Sequence, residues 1–98
     1  MKYQFTDEAA KDIEEILEYS VMNFGPEQAQ HYFEALKECI DLLADNPRMG
    51  RSAEEILPDY LRFPFESHMI FYKIFSSSIL VVRILHERMD PERHMKQP

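Results

Sequence analysis

Apolar residues recur along this chain with two different periods. Between Thr6 and Asn46 the steps are of three and four residues. Ala10, Ile13, Leu17, Val21 and Phe24 mark one stripe, and Ala29, Tyr32, Phe33, Leu36, Ile40 and Leu43 mark a second. Such spacing predicts two amphipathic helices, each with one face turned to a core. Thr6 is the expected N-cap of the first, followed by Asp7 and Glu8, which suit the positive end of a helix. Gly25 is its expected stop, and Pro26 starts the second where a missing N–H does no harm. Asn46-Pro47 ends the second helix. So short a break between helices predicts an antiparallel hairpin.

On either side of the hairpin the period drops to two. Residues 2–6 alternate as a short strand with Tyr3 and Phe5 on one face. Residues 48–59 are irregular, with Glu54-Glu55-Ile56-Leu57 as a candidate helical turn. Three strands then follow. The first, residues 60–65, places Leu61, Phe63 and Phe65 on one face, and its Pro64 points to an irregular or edge position. The second is residues 69–75, after a tight turn at Glu66-Ser67-His68. The third is residues 79–86, Ile-Leu-Val-Val-Arg-Ile-Leu-His, a nearly continuous apolar run expected of a strand buried on both faces. This order predicts an α+β fold, β-α-α-β-β-β, in which a mostly antiparallel sheet carries the two-helix hairpin on one face. All 98 residues form a single domain, with no internal repeat or linker.

Charge divides the chain. Residues 1–47 hold three Lys against eleven Asp or Glu, a balance of -8, and residues 48–98 hold eight Lys or Arg against seven acids, a balance of +1. An acidic surface repels phosphates, so direct sequence-specific nucleic-acid binding by the chain alone is not expected. The opening residues lack the apolar core of a signal peptide, and no run approaches the roughly 20 apolar residues that span a bilayer. The single Cys39 falls among Leu36, Ile40 and Leu43 at helical spacing and reads as a buried small hydrophobe. One cysteine makes no internal disulfide, which fits the cytoplasm. The histidines at 31, 68, 86 and 94 show no metal-ligand spacing, and two glycines form no phosphate loop. No metal or cofactor is expected.

The chemistry concentrates where the apolar run ends. Arg83 and His86 are its only polar residues, and the tail beyond, with Arg88, Asp90-Pro91, Arg93 and His94, is abruptly polar. A buried strand that delivers cations to the surface presents a fixed recognition patch. For each residue a structural role stands beside the functional one. His86 reads equally as a hydrogen-bonded strand end, and Arg83 as an ion-pair partner for a glutamate of the helices.

Taken in order, several landmarks resemble the ParE branch of the ParE/RelE toxin superfamily. They are Ala9-Ala10-Lys11-Asp12-Ile13 with Ile16 and Tyr19; Phe24-Gly25 with Gln28-Ala29 and Tyr32; Leu43-Ala44 with Pro47, Gly50 and Arg51; Tyr60-Leu61-Arg62-Phe63-Pro64 and His68-Met69-Ile70-Phe71-Tyr72; and Arg83-Ile84-Leu85-His86 with Met89-Asp90 and Arg93-His94. Each is weak alone, but together they cover nearly the whole chain. The resemblance implies the same β-α-α-β-β-β fold and the toxin role in a type II toxin–antitoxin system. It further implies inhibition of DNA gyrase with the cleaved DNA held in place, and neutralisation by a ParD-like antitoxin.

RelE-type toxins, which cut messenger RNA on the ribosome, supply the rival reading. That chemistry needs a base, an acid and cations for the phosphate. The candidates are His68, His86 and His94 for proton transfer and Arg51, Arg62 and Arg83 for the phosphate. The acidic chain disfavours it, so the expectation is a protein-binding toxin without catalytic residues. Its target-binding residues are then Arg83, His86, Arg88, Arg93 and His94, and its antitoxin-binding residues Tyr19, Met22 and Phe33. An acidic first half would steer a basic antitoxin segment toward the hairpin.

Overall fold

The computed structural model describes residues 2–95. Strand β1 (Lys2–Phe5) leads into helix α1 (Asp7–Phe24) and helix α2 (Pro26–Asp45). A 3-10 turn (Pro47–Met49) and strand β2 (Arg51–Ser52) follow, then β3 (Leu61–Phe65), β4 (His68–Ile74), β5 (Ser78–His86) and a short helix α3 (Pro91–Met95). The five strands form one sheet in the order β1-β5-β4-β3-β2. β1 lies parallel to β5, and every other pair is antiparallel. The hairpin covers one face. The expected α+β arrangement is present, with the two-residue β2 and the terminal α3 added to it.

Both additions have a local cause. β2 adds only two residues to β3, so Pro64 lies beyond its reach, on an open edge where no amide donor is required. α3 starts at Pro91, read from the sequence as a breaker, because proline is well suited to the first turn of a helix. Glu54–Leu57 forms a turn rather than a helix. The end of the polar tail, residues 96–98, lies outside the described residues.

The main core joins Leu36, Ile40, Leu43 and Ala44 of α2 to Ile70, Tyr72, Ile79, Val81 and Ile84 of β4 and β5. A smaller cluster sits on the opposite face, where Ala53 and Ile56 of the connecting loop pack on Phe71 and Leu85, with Met95 of α3 partly buried against them. Cys39 is half-buried against the main core, and that burial pushes its thiol pKa up.

The inward face of α1 differs from the stripe expected. Ala10, Val21 and Phe24 face solvent, whereas Ala9, Asp12 and Ser20 are buried. Two polar anchors set the rotation of the helix. The Thr6 hydroxyl accepts the Ala9 amide at 3.0 Å and donates to the Val82 carbonyl oxygen at 2.7 Å, while the Thr6 amide donates to Val81. One turn later, Asp12 turns inward to meet β5. Apolar periodicity places a helix on a sheet only to within a residue or so, and these bonds decide the remainder.

Candidate functional site

Past Ser20 the hairpin diverges from the sheet and leaves an open groove of about 610 Å3. Ile16, Tyr19 and Phe24 of α1, Tyr32 of α2, and Ile84 and Met89 beside the end of β5 supply its apolar lining. Asp12, Glu15 and Glu66 also line it, with no Lys or Arg among the lining residues. The helical rim is unusually apolar for a solvated surface, with Met22 85 % exposed and Tyr19 and Phe24 each 63 %.

Two imidazoles form the floor. His68 and His86 lie directly opposite on β4 and β5, their rings edge to face with centroids 5.3 Å apart. His68 Nδ1 is 2.8 Å from the Tyr32 hydroxyl, and the Tyr32 ring packs edge-on against Phe65. His86 Nδ1 accepts the Arg88 amide at 3.1 Å, which leaves Nε2 as its donor nitrogen. Burial pushes the His68 pKa down from 6.5, and neighbouring His86 adds to this, against opposing pulls from Asp12 and Glu87. Burial also raises Tyr32, with Glu66 adding to it. The resulting floor is polar beneath an apolar and acidic wall.

The edge of β5 carries the second feature. β1 pairs with β5 only as far as Phe5 and Val81, so the edge beyond is bare of strand. Asp12 takes the place of a partner strand there, with Oδ2 accepting the Ile84 amide at 2.9 Å. Both its oxygens also receive the Arg83 guanidinium, at 2.8 and 3.0 Å, a bidentate fork that raises the Arg83 pKa further. From the same guanidinium Nη1 donates to the His94 carbonyl oxygen at 3.0 Å. The partner of Arg83 is thus Asp12 rather than a glutamate of the helices, and Arg83 joins α1, β5 and α3 around the sheet edge.

Of the residues nominated for RNA cleavage, His68 and His86 are separated by the sheet from Arg51, Arg62 and Arg83, while His94 lies on α3, where its carbonyl oxygen meets Arg83. Arg51, Arg62, Phe71 and Arg83 stand in one cross-strand row, on the face away from the helices. His68 and His86 stand on the helical face. Arg62 is paired with Glu55 at 2.8 Å, and Arg83 is taken by Asp12. No arginine therefore joins the histidine pair in the groove, and among the described residues no cluster of three or more His, Cys, Asp or Glu is arranged to hold a metal.

The residues nominated for protein contact fall on three places. Arg88, Arg93 and His94 are exposed on the segment after β5, with His86 at its root and Arg83 beneath it. Tyr19 lines the groove, and Met22 lies on the same stretch of α1. Phe33 lines a separate apolar recess of about 300 Å3, together with Tyr3, Phe5, Ile13 and Leu36. Sequence periodicity missed Asp12 as a site residue and treated Tyr32 as core. Asp12 had a legible signal, being an acid in helical step with Ala9, Ile16 and Ser20.

The model of the ParE toxin of type II toxin–antitoxin systems, parDE, matches residues 3–91. The chain belongs to the ParE toxin family. It is 37% identical over 95 residues to Toxin ParE1 of Mycobacterium tuberculosis, covering 96% of this chain and 97% of that protein. It is 31% identical over 93 residues to Toxin ParE1 of Caulobacter vibrioides, covering 95% and 96%. A solved chain from the chromosomal ParDE system of P. aeruginosa superposes with a TM-score of 0.75 at 24% identity, covering 88% of this chain and 95% of that one, and so shares the fold. The groove, the histidine floor and the segment after β5 are therefore features of a ParE-type toxin, and none of the described helices is long and apolar enough to cross a membrane.

Proposed function

We propose that this ParE-type toxin acts in the cytoplasm by binding DNA gyrase and stabilising its cleaved-DNA complex, and that a ParD-like antitoxin neutralises it. In this reading the protein is not an enzyme. The observation that carries it is the separation just described, with the imidazole pair on one face of the sheet and the arginine row on the other. Cleavage of RNA would require both around one phosphate. Family membership supports the toxin role, and the exposed cations after β5 supply contacts of the directional kind that arginine makes at protein interfaces.

The antitoxin reading rests on the groove. An apolar trough lined also by Glu15 and Glu66, with no Lys or Arg among its lining residues, suits an amphipathic helix that carries Lys or Arg along one flank. Tyr19 and Met22 are placed to meet its apolar face. Phe33 belongs to the second recess, and its contact would be made by a different part of the same antitoxin. With the groove empty, the free chain is expected to self-associate.

The test is purified toxin assayed in parallel on gyrase-dependent supercoiling and on ribosome-bound messenger. Supercoiling should stop with cleaved DNA accumulating, and the messenger should stay intact. Removal of residues 87–98 should abolish the gyrase effect. Messenger fragments that vanish on His86→Ala would instead establish the ribonuclease reading.

A further inference from the structure

The segment after β5 carries the residues read as target contacts, and its helix is short. α3 is five residues long, well below the length at which a helix persists in water. Its own bonds are local, with Asp90 accepting the Glu92, Arg93 and His94 amides. Met95 and His94 both tie it to the body. The Met95 side chain is partly buried against the cluster of Ala53, Ile56, Phe71 and Leu85, and the His94 carbonyl oxygen accepts Arg83 Nη1. Arg83 is itself oriented by Asp12, whose two oxygens fix the plane of the guanidinium.

A lone arginine at a bare strand edge has many rotamers open to it and would spend most of its time in solvent. The forked pairing with Asp12 removes that freedom and leaves the remaining nitrogen aimed at α3. We propose that Asp12 is a positioning residue for target binding: acting through Arg83, it holds residues 88–95 in the pose from which Arg88, Arg93 and His94 meet the target. The inference rests on the reading of this segment as the target-contact surface. It adds that a carboxylate on the first helix, outside that surface, sets how often the surface is formed.

The physical consequence is a population effect. Asp12→Asn keeps the side-chain shape and one acceptor for the Ile84 amide, but it presents an amide N–H2 to the guanidinium and removes the charge. The segment then opens more often, and binding weakens in inverse proportion to the fraction of time it stays docked. Loss of one charge-assisted hydrogen bond is expected to raise the open-to-docked ratio about tenfold.

The experiment compares the wild-type chain with Asp12→Asn by amide hydrogen exchange and by titration of gyrase supercoiling. Exchange of the Arg93 and His94 amides should rise about tenfold, while the amides of β4 and β5 keep their protection. The midpoint of inhibition should rise only by the ratio of the docked fractions that the Arg93 and His94 protection gives before and after the change, and the plateau at saturating toxin should stay, because the pose remains reachable. Unchanged exchange at Arg93 and His94 overturns the latch. A midpoint that fails to follow the docked fraction read from exchange overturns the target-contact reading beneath it, and a lowered plateau at an unchanged midpoint overturns positioning as the mechanism. Should Asp12→Asn fail to fold, shown by lost protection in β4 and β5, Arg83→Lys is read by exchange alone, with the same expected rise and the same overturning result.

Discussion

Where α2 runs out at Pro47, Leu43 and Ala44 are fully buried, and the Tyr72 hydroxyl donates to the Pro47 carbonyl oxygen at 2.7 Å while accepting the Gly50 amide at 3.0 Å. At the other end of the same hairpin, around Ser20, the helices leave Tyr19, Met22 and Phe24 in solvent above a groove floored by His68 and His86. The composition of the two ends is similar, since both present large apolar and aromatic side chains. They differ in what the sheet offers opposite. At the closed end a buried tyrosine satisfies every polar atom it meets. At the open end the strands finish in two histidines and a tight turn, and none of the described residues covers the exposed rim of the helices. Stability is therefore concentrated at one end and the capacity to bind at the other.

Substitutions at the closed end should cost stability most. Leu43→Ala removes a side chain with no exposed surface and is expected to lower unfolding free energy by about 2–5 kcal/mol in urea titration. Gly50→Ala comes next. Its backbone is ordinary, but a Cβ there would collide with the Tyr72 hydroxyl and approach the Arg62 carbonyl oxygen to 2.9 Å, at an expected cost of about 1–3 kcal/mol. Tyr72→Phe leaves the Pro47 carbonyl and the Gly50 amide without their partner, for about 1–3 kcal/mol. A tolerant closed end, with all three variants near wild type, would erase the contrast.

The groove floor should show itself through pH. Folding holds the His68 pKa below 6.5, so the folded state resists a proton that the unfolded chain accepts. Stability is then full above pH 6.5 and falls as the pH drops through 6.5 toward the folded value. His68→Asn should flatten that decline in denaturation curves measured across the window, and an unaltered slope would assign the titration to another group.

Smallest in stability and largest in binding are the changes at the open rim. Met22→Ala and Phe24→Ser should move unfolding by no more than about 0.5 kcal/mol, because both side chains are already solvated. The same variants should weaken a ParD-like antitoxin in calorimetry and improve the solubility of the free toxin. Equal effects on stability and binding would mean that the two ends are not specialised.

Both helices, the four longer strands and the α+β arrangement were legible in the sequence because periods of 3.6 and 2 are properties of the local chain. The caps were legible for the same reason: Thr6 and Pro26 act on the turn they begin. Of the candidate site, Arg83 and His86 were legible because a charge inside an apolar strand is locally anomalous. The partners of these residues were not legible. Asp12 lies 71 residues from Arg83, and Tyr32 lies 36 from His68. Nothing in the chain's local order distinguishes Asp12 from the acids at 14, 15 and 18 except its phase on the helix. That phase matches Ala9, Ile16 and Ser20, and the bond from Thr6 to Val82 is what turns it toward β5.

By itself, then, the sequence determined the elements, their order, the acidic hairpin and the cationic segment after β5, all set by neighbours in the chain. Tertiary structure decided the rotation of α1, the placing of histidines and arginines on opposite faces of the sheet, and the seat of Arg83 between Asp12 and His94. Those outcomes depend on distances between residues far apart in sequence, and such distances exist only once the sheet has closed and the hairpin has packed on it.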